Sequence, residues 1–438
     1  MEIPINKADP KTMHVDLNAC FAKVEQQANR LLRGKPVGVA ANLHPRGTII
    51  AASYEAKAIG INTGLKVHQA KSQYKNAVIV HSDPDKYFFV HQKFLKILRN
   101  YSPDVTAISI DEAYIDFSHI RGIDQQKLVE IGHEIKARIR EEIGEWLTCN
   151  IGIGPSRFTA KLASSLHKPD GLDIISHKNL TDVYSTLALI DLPGINVHYQ
   201  ERLTKAGIST PLELLHAPFW KLKDEVFHSI VAYYWYMRIR GYEVDGQDFE
   251  RRSYGQAYHL HTFTADDHEL GKLLMKLCEK MGRRLRRAGY VASGIQVFCA
   301  LEDGTWWGKS KHYDSYLFAT TELYEKAMEV LEQRPKRTRV SRLAVACFDL
   351  KPLASLSYLP GIDDHKIKTI KFSHACDEIN NKYGEYFICP AKMLGLEDEI
   401  VKRVPFHATS NTLEEFYYDL DDTEPYQNHY VKSLVTSA

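Results

Sequence analysis

Ala107-Ile108-Ser109-Ile110-Asp111-Glu112-Ala113-Tyr114-Ile115-Asp116 is the stretch on which the fold turns. Its apolar and β-branched residues predict a strand through 107–110 that two adjacent carboxylates, Asp111 and Glu112, break before it resumes at 113–116. Neighbouring acids repel and shed hydration reluctantly, so such a strand tolerates them when a cation sits between them. A divalent metal suits that place. Near the N-terminus, Met13-His14-Val15-Asp16-Leu17 predicts a second short strand with Asp16 near its end. Two acid-bearing strands distant in sequence can meet in one sheet, where their oxygens build the hard-ligand cage that Mg²⁺ prefers. Phosphoryl or nucleotidyl transfer is the chemistry such a cage serves.

Outward from these strands, helices are predicted over residues 21–32, 54–59, 87–100 and 128–143, and strands over 37–40, 48–52 and 148–153. This mixture, with tight antiparallel pairing around the acids, favours an α+β multidomain protein over a doubly wound sheet. The 438 residues suggest about two to four domains. With 44% apolar and 25% charged residues the composition is that of a soluble globular protein. No apolar run approaches the roughly 20 residues of a membrane span, and residues 1–6 do not read as a secretion signal, so a cytoplasmic enzyme with no membrane partner is expected. Seven scattered cysteines, never in a C-x-x-C pair, argue against disulfide frameworks and zinc sites.

Composition changes near residue 176. Leu192-Pro193-Gly194-Ile195-Asn196, followed by residues 199–203 and Gly207-Ile208, resembles a helix-hairpin-helix, whose turn directs backbone N–H groups at a nucleic-acid phosphate. Asn196 stands where many copies have a second glycine and is expected to take positive φ there, with Gly194. Residues 251–352 predict another α+β unit, with strands at 295–301 and 340–348 around a hairpin turn at Asp303-Gly304. Its helix at 270–287 repeats Lys272, Lys276, Lys280 and Arg284 every four positions, a cationic face for phosphates beside an apolar one. Residues 251–352 hold 18 Lys and Arg against 12 Asp and Glu, whereas residues 353–438 hold 8 against 14. The asymmetry fits a polyanion-facing module followed by an acidic extension.

Taken in order, Asp16-Leu17-Asn18-Ala19-Cys20-Phe21, Ser53-Tyr54-Glu55-Ala56-Lys57, Ser109-Ile110-Asp111-Glu112-Ala113 and Ala160-Lys161-Leu162-Ala163 with His167-Lys168-Pro169-Asp170-Gly171 resemble the motifs of Y-family translesion DNA polymerases of the DinB/UmuC type. The resemblance implies a right-hand polymerase: palm and fingers in 1–175 with fingers at about 34–87, a helical thumb at 176–245, a little finger at 251–352, and a partly mobile C-terminal extension at 353–438. It implies two Mg²⁺ ions on Asp16, Asp111, Glu112 and the Leu17 carbonyl, and error-prone copying of damaged template bases. It makes Phe21 a steric gate against the ribose 2′-hydroxyl, a device that works by clash. Tyr54, Lys57 and Lys168 match positions that contact the deoxynucleoside triphosphate, although Lys57 replaces the commoner arginine and lacks its bidentate geometry. Primer–template DNA is the implied polymer partner.

In the tail, Ser355-Leu356-Ser357-Tyr358-Leu359 loosely resembles a sliding-clamp peptide, with Leu356, Tyr358 and Leu359 as its apolar contacts. Residues 377–384 and Pro405-Phe406 resemble the extension of bacterial relatives, and the acidic stretch 414–424 reads as a solvated segment. Two rival readings are a non-catalytic DNA-binding accessory protein of the same fold, in which the metal acids would be lost, and a nucleotide cyclase, which has no use for the hairpin and the basic module.

Overall fold

The computed structural model describes residues 3–246, 251–358 and 364–396. The chain divides into two compact units at residues 248/249. The first unit runs β1 (Thr12–Leu17), α1 (Cys20–Ala28), β2 (Val37–Ala40), β3 (Ile49–Ala52), α2 (Tyr54–Ala58), α3 (Val67–Gln73), β4 (Val78–His81) and α4 (Pro84–Leu98). It continues with β5 (Val105–Ala107), β6 (Glu112–Asp116), α5 (Gln125–Arg138), β7 (Cys149–Gly154), α6 (Arg157–Leu166) and β8 (Leu172–Ile174). Five short helices close it: α7 (Leu180–Ser185), α8 (Val197–Lys205), α9 (Pro211–His216), α10 (Phe219–Lys221) and α11 (Val231–Arg238). No helix among the described residues is long and apolar enough to cross a membrane.

The acid-bearing strands lie in a five-stranded sheet of order β5-β6-β1-β7-β8, with β1 in the middle and antiparallel to both neighbours. Met13, Val15 and Leu17 alternate into the core, as a half-buried strand requires. The break predicted at the acids is present, but the first strand ends at Ala107, not Ile110, and the second begins at Glu112. β5 and β6 pair antiparallel, and the Ile108 and Ser109 amides both reach the Glu112 carbonyl at 3.0 and 3.3 Å. Asp111 therefore lies in the turn between the two strands and Glu112 opens β6. A separate three-stranded sheet, β3-β2-β4, carries α2 and α3 on a small core of Ile49, Ala52, Ala56, Ile61 and Ala70.

One close approach fixes where α6 sits. A Cβ built at Gly152 on β7 would overlap the Ala160 carbonyl oxygen and the Ser164 amide, so the helix backbone rests directly on the strand. Backbone cannot recoil as a flexible side chain does. Gly152→Ala is expected to destabilise the chain by about 3 kcal/mol, read as a lowered thermal unfolding midpoint.

The second unit contains β9 (Ser253–Thr264), α12 (Asp267–Arg287), β10 (Tyr290–Leu301), β11 (Trp306–Leu317), α13 (Thr320–Leu331), β12 (Val340–Pro352) and α14 (Asp364–Tyr383). Its sheet has the order β11-β10-β12-β9, and Leu273, Leu277, Met281 and Leu285 of α12 lie in the core beneath it. Although the sequence reading ended this unit at residue 352, residues 364–396 pack into it. Arg286, 4% exposed, is held by both oxygens of Asp377 on α14 at 2.6 and 2.8 Å. Asn380 closes the following turn by bonding the Ile388 backbone in both directions at 2.9 and 2.8 Å, and Met393 joins the core. Removing one member of a buried ion pair strands the other. Asp377→Ala is therefore expected to cost about 3 kcal/mol, measurable by denaturant unfolding.

Candidate functional site

Asp16 and Glu112 are direct register partners across β1 and β6, so their side chains share one face of the sheet. The Leu17 amide donates to the Asp111 carbonyl at 2.8 Å, which ties the acid-bearing turn to the end of β1. Like charges directly opposite each other destabilise a sheet unless compensated. Lys168 compensates Asp16 in an ion pair, and Lys161 reaches both Glu112 oxygens at 2.9 and 2.7 Å. The Ser109 hydroxyl donates to Asp111.

Each carboxyl responds to its own surroundings. Burial, reinforced by the charge of Asp16, pushes Asp111 up to about 6. Burial also disfavours charge on Glu112, but the hydrogen bond from His14 and the charge of Lys161 outweigh it and hold that carboxyl down at about 2. His14 is fully buried, with Nε2 3.2 Å from Glu112 and Nδ1 2.7 Å from the Ser164 hydroxyl. Desolvation lowers its own affinity for a proton.

The loop carrying Lys168 is fixed from below. Asn18 donates to Asn150 at 2.8 Å and accepts from the Asp170 amide at 2.9 Å, while Asn150 donates to the His167 carbonyl at 3.0 Å. Above the acids, Ser53 caps α2 by accepting from the Ala56 amide at 3.2 Å. That helix presents Tyr54 with the Lys57 ammonium 4.8 Å from its ring centroid. Burial, then the charge of Lys168, lowers Lys57. Burial and the charge of Asp16 push Tyr54 up to about 12. These couplings bring the two lysines, the tyrosine and Asp16 into one electrostatic neighbourhood. Ala19, left-handed at φ 45°, turns the chain from β1 into α1, and Phe21 follows with 8% of its surface exposed.

Among the described residues, no three His, Cys, Asp or Glu side chains gather closely enough to cage an ion by themselves. The expected ready-made acid cage is therefore not the arrangement seen. The lysines draw Asp16 and Glu112 to separate partners, and repulsion between the acids acts in the same direction. The donor set nonetheless fits a hard cation, being oxygen-rich and carried on two adjacent strands. Sequence reasoning did not give Lys161, His14 or Ser109 a part in this site. Lys161 stood within a quoted motif, but its direction toward Glu112 follows from how α6 packs.

Two expectations about nucleic-acid contacts are corrected. Gly194 has φ 92°, as the hairpin turn requires, but Asn196 has φ −101° and instead caps α8, accepting from the Tyr199 amide at 2.9 Å. A short amide side chain serves that cap well. On α12, none of Lys272, Lys276, Lys280 and Arg284 is fully exposed. Lys276 is buried, donating to the Leu396 carbonyl and lying 5.1 Å from the Tyr386 ring centroid. Arg284 donates to the Gly255 carbonyl at 2.9 Å. The chain's own C-terminal segment and sheet thus take up cations that the sequence pattern assigned to phosphates. Leu353–Tyr358 forms a short 3-10 segment, while Leu359, Pro405, Phe406 and residues 414–424 lie outside the described residues.

The impB/mucB/samB family model matches residues 15–165, and the model of that family's C-terminal domain matches residues 251–357. DNA polymerase IV of Moorella thermoacetica is 30% identical over 388 residues, covering 87% of this chain and 95% of its own. DNA polymerase IV 1 of Bacillus subtilis is 28% identical over 406 residues, covering 90% and 95%. Among solved structures, a Y-family DNA polymerase chimera of Dbh and Dpo4 aligns with a TM-score of 0.68 at 24% identity, covering 77% of this chain and 98% of that one. DinB from Sulfolobus solfataricus aligns at 0.51 and 24% identity over the same shares. The fold is that of a multidomain right-hand polymerase. The chain belongs to the impB/mucB/samB family: it is a Y-family DNA polymerase of the DinB type, an enzyme of translesion synthesis.

A pH test addresses the turn that presents the acids. His91, fully buried on α4, lies with Nδ1 2.7 Å from the Ile110 carbonyl, and burial lowers it to about 4. Unfolded histidine takes up its proton near pH 6.5, so the stability from the neutral ring is present above that pH and is lost as pH falls toward 4. The expected loss is about 1 kcal/mol per pH unit across that window, and His91→Gln should flatten the dependence in pH-resolved chemical denaturation.

Proposed function

We propose that this enzyme adds deoxynucleotides to a primer 3′ end on a DNA template by two-metal nucleotidyl transfer, with Asp16, Asp111 and Glu112 as the catalytic carboxylates. The observation that carries this reading is the direct pairing of Asp16 with Glu112, each acid held by its own lysine. On this reading Asp16, the Leu17 carbonyl, Asp111 and Glu112 hold Mg²⁺, whose ions supply activation of the primer hydroxyl and neutralisation of triphosphate charge. Lys168 and Lys57 then turn to the phosphates of the incoming nucleotide, with Tyr54 beside them. Such a transfer depends on placement and charge stabilisation and needs no covalent nucleophile. Phe21 guards the sugar, and Gly194 opens the α8 turn toward a DNA backbone phosphate.

The second unit grips DNA, in this reading, with the open face of its sheet and not with α12. Gly255 and Gln296 both oppose Ala346, and Ala257 and Phe298 both oppose Ala344, so all six share a face. They line a shallow cavity of about 310 Å³. Small side chains admit a polymer backbone closely, and the Phe298–Trp306 pair, 4.8 Å between centroids, offers a flat contact beside it. A sliding clamp completes the proposed partners, through Leu356, Tyr358 and Leu359.

Asp111→Asn combined with Glu112→Gln should abolish primer extension on undamaged and lesion-bearing templates alike, a loss of about a thousandfold or more. Asp111→Asn relieves a charge that burial disfavours, whereas Glu112→Gln gives up the ion pair with Lys161, so the unfolding transition of the double variant is measured alongside to show that it is folded. A folded double variant that extends primers like the parent would refute the carboxylate assignment.

A further inference from the structure

Phe21 does not stand alone against the core. Its ring stacks on Tyr87, with centroids 4.3 Å apart and planes 12° from parallel. Tyr87 lies in the first turn of α4, fully buried, and its hydroxyl donates to Glu25 at 2.8 Å. Phe21 and Glu25 are four residues apart on α1, one helical turn, so a single tyrosine spans that turn and is held at both ends. Lys86, the residue before it, donates to the other Glu25 oxygen at 2.7 Å, and Asp83 caps the helix by accepting from the Lys86 amide at 3.1 Å. Glu25 itself is 7% exposed. A buried carboxylate is costly unless partnered, and here both oxygens are taken. Burial and the nearby Glu25 charge keep the Tyr87 phenol protonated far above its usual range, so it stays a donor.

A wall that excludes by clash discriminates only as far as it cannot recoil. Behind Phe21 the space is filled by a ring with neither freedom to swing nor room to slide. We propose that Tyr87, anchored by the Glu25–Lys86 ion pair, is a positioning residue that stiffens the Phe21 gate and so sets the discrimination between deoxyribonucleotides and ribonucleotides. The inference rests on reading Phe21 as the gate.

The test is single-nucleotide insertion by the full chain, measuring kcat and KM with a deoxynucleoside triphosphate and with its ribonucleotide counterpart, alongside the thermal midpoint. Tyr87→Phe keeps the stacked ring and removes its anchor. It is expected to lower the deoxy-to-ribo efficiency ratio about tenfold, the scale of one lost hydrogen bond, chiefly through a lower ribonucleotide KM. Glu25→Gln, which keeps an acceptor for the phenol but discharges the pair, should move the ratio in the same direction by less. If Glu25→Gln fails to fold, Glu25→Gln with Lys86→Met removes the stranded ammonium and is read in its place. Tyr87→Phe with the parental ratio, or with kcat lost equally for both sugars, overturns the proposal and leaves Tyr87 a packing residue. Phe21→Ala separates the two readings. A ratio that collapses in Phe21→Ala but not in Tyr87→Phe preserves the gate and sinks the anchor, whereas an unchanged ratio in Phe21→Ala removes the gate itself.

Discussion

The structure depends on compensating a like-charge pair. Asp16 and Glu112 are locked opposite each other by strand register, and Asp111 adds a third, partly buried carboxyl at the same end of the sheet. Register in a sheet with a buried face is hard to change, because a one-residue slip would turn Met13, Val15 and Leu17 out of the core. The acids cannot move apart through the backbone, so the remedy comes from elsewhere in the chain. Gly152 lets α6 approach until Lys161 reaches Glu112, and the Asn18–Asn150 pair holds the loop from which Lys168 reaches Asp16. Much of the first unit's local geometry serves to deliver two ammonium groups.

Those ammonium groups explain how one site can be stable without substrate and still be made for it. A flexible lysine is a point charge on a long stem and changes partner at little cost. On the proposed reading, Asp16, Asp111 and Glu112 would hold hard cations that supply charge neutralisation, and Lys168, released from Asp16, would turn to the phosphates of the incoming nucleotide. An acid cage already open would carry uncompensated charge in the substrate-free protein, which favours the separated arrangement observed.

How much of this was legible in the sequence depended on the range of the interaction. The neighbouring acids and the strand read at residues 13–17 were legible because strand alternation is local and motif order is fixed along the chain. The hairpin between β5 and β6 was blurred, since Ile108 and Ile110 look like strand residues and only the backbone bonds to Glu112 reveal the turn. Asn196 was placed in the right turn with the wrong conformation, because an asparagine that tolerates positive φ is equally a good helix cap. Lys161 and His14 escaped notice because their value comes from which face of a packed helix or strand they occupy.

The four-residue cationic repeat on α12 shows a different limit, and it bears on where the second unit meets its polymer. A helical period reports that side chains share a face but not what covers that face. Here residues more than 90 positions away cover part of it: the Leu396 carbonyl takes Lys276, whose ammonium also lies against the Tyr386 ring. A helix packed on a sheet on one side and on its own C-terminal segment on the other has little surface left to offer. Among the described residues the sheet's other face has no such cover at its centre, where Gly255, Ala257, Ala344 and Ala346 leave backbone within reach of a ligand. Charge density in the sequence pointed to the helix, whereas access in the folded unit points to the sheet, and a polymer can bind only where it can reach.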